Sequence, residues 1–118
     1  MSWFTKSSGI PNPLATTSKN ANDIEYLSVE VLEVLRDSSA NVAGINDSFE
    51  TIGRSVRALA NEAVVVSVKQ KAAREVDQVL SVARTMLGRD GMPGIVSAKV
   101  YDELQNALDY LRFTTERP

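Results

Sequence analysis

Between Val42 and Val66 the apolar residues fall at Val42, Ile45, Phe49, Ile52, Val56, Leu59, Ala63 and Val66. The steps alternate between three and four, the heptad rhythm of a helix that packs along one seam. A second track then takes over through Val65, Val68, Ala72, Val76, Val79, Ala83 and Met86. At about 100° per residue the two tracks lie on different sides of one helix. The pattern therefore predicts a long central helix from about residue 47 to Leu87, covered on one side in its first half and on another in its second. The valines of AVVVSV (residues 63–68) also suit a short strand, because β-branched residues pack well on sheets. Helical periodicity on both flanks favours the helix.

Upstream, Asn22 or Asp23 can cap a first helix by accepting a backbone N–H bond. Its stripe is Ile24, Leu27, Val31, Val34 and Leu35, widened by Val29 and Leu32. SSANVAGIND (residues 38–47) allows two readings. One is a break, with Asn46 or Asp47 capping the next helix. The other is an uninterrupted helix, because the heptad phase extends back through Ser38, Leu35, Val31, Ser28 and Ile24. Gly44 and Gly53 each cost about 1 kcal/mol against alanine inside a helix, and Gly53 can instead mark a close approach of two backbones.

GRDGMPG (residues 88–94) predicts a sharp stop. Gly88 suits the left-handed position after a helix, and Pro93 with Gly91 and Gly94 opposes continuation. A final helix is expected from about Val96 to Phe113, with the stripe Val100, Tyr101, Leu104, Ala107, Leu108 and Leu111. Its short connection returns it antiparallel along the central helix. Residues 1–21 read as an extended arm, rich in Ser, Thr, Asn and Pro, in which Trp3 and Phe4 need an apolar place to sit.

These elements define an all-α fold with coiled-coil-like packing. It is a helical hairpin or three-helix bundle: a long central helix, an antiparallel C-terminal helix and a shorter N-terminal helix. The arm occupies residues 1–21 and one helical domain occupies 22–118. A single domain is what 118 residues allow.

Composition removes much chemistry. The chain has no cysteine and no histidine. That excludes disulfides, thiolate nucleophiles, Ser-His-Asp arrangements and Glu-x-x-His di-iron motifs, together with the commonest transition-metal ligand. The pairs Asp102–Glu103 and Glu75–Asp77 read as solvated helix faces. GRDGMPG follows no strand and lacks the phosphate-loop pattern. No catalytic, cofactor or metal site is expected, and the protein reads as a non-enzyme.

Net charge is −2 and the pI about 5.1, which argues against a dedicated nucleic-acid partner. The charge is uneven: residues 1–50 carry −4 and residues 51–118 carry +2. Arg54, Arg57, Lys69, Lys71 and Arg74 form a modestly basic stretch suited to pairing with the acidic first helix. No apolar run approaches the roughly 20 residues of a membrane span, and MSWFTKSSGIPNPL lacks a signal core. Neither a membrane partner nor a cofactor is expected. The expected location is the cytoplasm, or a particle assembled there, with leaderless secretion left open.

The stretch SFETIGRSVRALANEA (residues 48–63) resembles the long cytoplasmic coiled coils of methyl-accepting chemoreceptors, with small residues set between regular aliphatics. The likeness spans one helix, does not include the receptor tip sequence, and implies no function for any residue here.

Two short helices on different faces cannot cover the whole of a much longer central one. The expected function is therefore a structural or adaptor protein that self-associates, as a small subunit of a phage particle or secretion assembly does. Val42, Ile45, Phe49, Ile52, Val56 and Leu59 would form the interface, with Trp3 and Phe4 as a second contact. The alternative is a monomeric helical regulator or inhibitor that offers the same stripe to a different protein.

Overall fold

A computed structural model describes residues 15–36, 44–95 and 98–116; the side chains of residues 86–98 and of residue 116 lie outside that description. Among the described residues four helices pack together: α1 (Lys19–Arg36), α2 (Ile45–Ala60), α3 (Val66–Ile95) and α4 (Ala98–Glu116). Trp3, Phe4 and Val42 lie outside the described residues, as does the predicted arm up to residue 14.

The stripes seen in the sequence become the core. On α1 the buried residues are Ile24, Ser28, Val31 and Leu35, the backward extension of the heptad phase. Leu27, Leu32 and Val34 flank them half-buried, and Val29 turns outward. On α3 the second track is buried at Ala72, Val76, Val79 and Ala83, with Leu80 and Ala73 beside it. On α4 the whole predicted stripe packs inward, Tyr101 only partly.

The long central helix does not form. It breaks at residues 61–65 into α2 and α3. No proline or glycine causes the break. Tertiary contacts do. The amide of Ala15 donates to the Ala63 carbonyl at 3.1 Å, and the amide of Val65 donates to the Ala15 carbonyl at 2.9 Å. They form a single parallel bridge between Ala15 and Val64, so the strand-like valines pair at one residue. Asn61 and Glu62 close the end of α2 with tight bonds to the Ala58 and Leu59 carbonyls. Val64, on neither heptad track, becomes a core residue.

The start of α1 also lies earlier than predicted. The Ser18 hydroxyl accepts the Ala21 amide at 3.2 Å, so Ser18 rather than Asn22 or Asp23 is the cap. At the other end, α3 continues through Gly88, Gly91 and Pro93 to Ile95. Glycine taxes a helix without forbidding it, and a proline in the last turn forfeits one backbone bond. The stop predicted at Gly88 therefore does not occur.

Named contacts fix the helix directions. Gly53 lies beside Leu104, and the Tyr110 hydroxyl donates to Asn61 Oδ1 at 2.8 Å, so α2 and α4 run parallel. Asp77 pairs with Arg112 at 3.3 Å and Arg84 donates to the Tyr101 hydroxyl at 2.6 Å, so α3 and α4 run antiparallel. Lys71 reaches Glu25 near the start of α1, while Ser81, Val82 and Thr85 gather near Arg36 at its end; α1 and α3 are parallel. The hairpins α1–α2 and α3–α4 thus stand side by side in the same orientation. α2 is flanked by α1 and α4, and touches α3 least.

Gly53 is not required by a close approach of backbones. An added Cβ would meet only Leu104 Cδ1, at 3.9 Å. Gly53→Ala is expected to stabilise the protein by up to about 1 kcal/mol through helix propensity, read as a higher urea midpoint. A loss of stability there would show that the α2–α4 contact tolerates no added methyl.

Candidate interaction surface

The seam of the opening pattern is in the protein's own core. Ile45, Phe49, Ile52, Val56 and Leu59 are all at most 3% exposed. The reason is the break at 61–65. It lets the chain reverse, so that α1 and α4 flank the α2 seam while α1 and α4 also flank α3. The bare stripe expected on a long central helix is therefore not left over. Ala63 and Val66, the last two positions of the seam, lie beyond the end of α2 and are exposed.

Exposed apolar surface lies elsewhere. Tyr26 is 64% and Val29 51% exposed on the outer side of α1. By helical spacing Val29, Leu32 and Arg36 share a flank of α1. Arg36 lines a shallow groove of about 210 Å³ with Ser81, Val82 and Thr85 of α3. Leu32 and Val82 are half-buried, each with one side against the core. Val29, Leu32 and Val82 thus mark an apolar strip along the α1–α3 side, one that the heptad track does not single out. The signal is present in the sequence: Val29 and Leu32 make the α1 stripe wider than one core-facing track needs.

Charge closes one end of this strip. Lys71 contacts Glu75 at 2.8 Å and Glu25 at 3.0 Å, tying α1 to α3. Donation of hydrogen bonds by its ammonium to Glu75, then to Glu25, raises the Lys71 pKa above its ordinary value. A raised lysine pKa contributes below the unfolded value and is lost only as pH climbs past the folded one, so Lys71 stays charged at neutral pH. Lys71 and Glu25 are well exposed, and such pairs contribute little to stability. Glu30 raises the Tyr26 hydroxyl pKa, chiefly by hydrogen bonding.

A second groove, of about 200 Å³, lies between α2 and α4 over Gly53, with Glu50, Arg54, Arg57 and Glu103 around it. Both charge signs line it. The basic stretch predicted from the sequence does not form one patch. Arg54 and Arg57 are on α2, whereas Lys69 is buried and bonded to the Ala60 carbonyl at 2.9 Å. Among the described residues no group of three or more Asp or Glu side chains is placed to hold a metal ion. Among them, too, no helix is long and apolar enough to cross a membrane.

Comparison with known proteins adds no family: no family model, no curated protein and no solved structure matches this chain.

Proposed function

We propose that this protein is a non-enzymatic structural or adaptor subunit that self-associates, with the α1–α3 side as the contact between copies. The observation that carries this reading is the exposure of Tyr26 and Val29 beside a half-buried apolar strip, while the α2 seam from Ile45 to Leu59 is spent on the protein's own core. Charge fits a second copy. The strip has Glu25 and Glu75 towards one end and Arg36 towards the other. Two copies laid antiparallel across it bring the acidic end of each to the arginine of the other. The lack of histidine and cysteine supports a non-enzymatic role by removing the commonest general base and the commonest nucleophilic thiol.

The test is solution mass by light scattering over a hundredfold range of concentration, for the natural chain and for Val29→Glu. Association that weakens by about tenfold or more in the variant, some 1.4 kcal/mol, supports the reading. A monomer at every concentration removes self-association and turns attention to the alternative, a regulator that binds a different protein.

A further inference from the structure

We propose that the α2–α3 joint is a hinge through which the α3–α4 hairpin can be exchanged between two copies of this chain. The inference is independent of the α1–α3 contact.

Residues 61–65, NEAVV, contain no helix breaker, and the heptad step runs through the bend without a slip, from Leu59 to Ala63 to Val66. The sequence therefore encodes a register that the bent chain does not use. The bend leaves both later positions in water: Ala63 is exposed and Val66 is 42% exposed. What holds the bend comes from the segment before α1 and from the first turn of α1. Ala15 brackets Val64 with two backbone bonds. The hydroxyl of Ser18 donates to Glu62 at 2.6 Å, and the Asn20 amide donates to the same carboxylate. Glu62 is the one side chain on which this clasp converges.

Releasing the clasp lets α2 and α3 join into one helix. The α3–α4 hairpin then leaves its own α1–α2 hairpin and docks on that of a second copy. Every lateral contact is re-made with the same residues, which is why such exchange costs little. Ala63 and Val66 come together where the two long helices cross. The α2 seam then packs against α4 of the other copy, so the heptad track becomes a contact between chains by exchange rather than by simple docking.

The experiment uses the full chain. Glu62→Ala removes the acceptor of both clasp side chains and favours helix. It is expected to lower the dimer dissociation constant at least tenfold, read by light scattering. Because the chain has no cysteine, spin labels can be placed on cysteines introduced at the exposed positions Glu50 and Gln78. Within one chain of the dimer they should move out to about 42 Å, the span of 28 residues of unbroken helix; the reversed chain holds them closer. Adding Ala63→Pro to Glu62→Ala should return the monomer and the short distance, because proline cannot sit inside the joined helix. Ala63→Gly serves the same end if the proline variant loses helicity. A Glu62→Ala protein that stays monomeric overturns the proposal. So does a dimer in which a doubly labelled chain, diluted into excess unlabelled chain, keeps the short distance, or one that persists with both joint variants. Val29→Glu leaves an exchanged dimer intact and Ala63→Pro leaves an α1–α3 dimer intact, so the two modes separate.

Discussion

Ile52→Glu is expected to unfold the monomer, not merely to separate one copy from another. Ile52 is fully buried on α2, among Phe49, Val56 and the residues of α1 and α4 that flank them. An ionised carboxylate there loses its hydration without a partner, at an effective cost of several kcal/mol. The isoleucine burial lost with it adds about 1.5–3 kcal/mol. Domains of this size hold together by about 5–15 kcal/mol, so the two losses together are decisive. Far-UV circular dichroism should show most of the helix gone. Phe49→Ala, at about 3–5 kcal/mol, should leave a folded protein with a much lower urea midpoint. Arg57→Glu, exposed one turn from the end of α2, should change neither. If Ile52→Glu kept its helicity and its melting temperature while its mass halved, the seam would be packed against another chain and the core described here would be wrong.

That prediction reverses the one the heptad track invites. Periodicity tells which residues of α2 seek cover, and it is right about every described member up to Leu59. It does not tell what supplies the cover. The answer depends on a bend at 61–65, and the bend is not written locally. NEAVV holds no proline or glycine, and its valines suit a strand as well as a helix. It turns because Ala15, Ser18 and Asn20, more than 40 residues earlier, offer it bonds. Once the chain reverses there, one long helix with too few neighbours becomes two helices with two principal neighbours each. The uncovered stripe, the main argument for an open seam, disappears.

Other elements are legible to the degree that their signals are local. The α4 stripe and the second track on α3 follow from helical spacing alone, and the antiparallel return follows from the short connection. The cap of α1 is hard to place because TTSKNAND offers several capping side chains in a row, and only the bond from the Ala21 amide picks out Ser18. GRDGMPG reads as a loop because glycine and proline lower helix propensity; α3 nevertheless runs to Ile95. Ser28 shows the opposite case. Its place on the heptad track predicts burial, and it is buried, yet its hydroxyl has no hydrogen-bond partner among the described residues. The α1–α3 strip is half-visible: Val29 and Leu32 stand out as surplus apolar residues, but only the parallel packing of α1 on α3 puts Leu32 and Val82 on one side.

Lys69→Met should cost about 1–3 kcal/mol without changing the fold, the range for leaving a buried acceptor unpaired. Lys69 reads in the sequence as a member of a basic, solvated stretch. In the structure it is 8% exposed, and its ammonium donates to the Ala60 carbonyl at 2.9 Å. Ala60 is the last residue of α2, where the final carbonyls have no partner within the helix. Neighbouring carbonyls of that turn are met by the amides of Asn61 and Glu62. The Ala60 carbonyl is met by Lys69 instead, and a positive charge there also suits the negative end of the helix dipole. Methionine keeps the length and the apolar stem but supplies no proton and no charge, so the loss reports the bond rather than the packing. Urea unfolding is the measurement: a lower midpoint at an unchanged slope is expected. Lys69→Arg should recover some of the loss, because the guanidinium still donates. A Lys69→Met protein as stable as the natural one would mean that water serves the Ala60 carbonyl equally well, and that the lysine does not hold the end of α2.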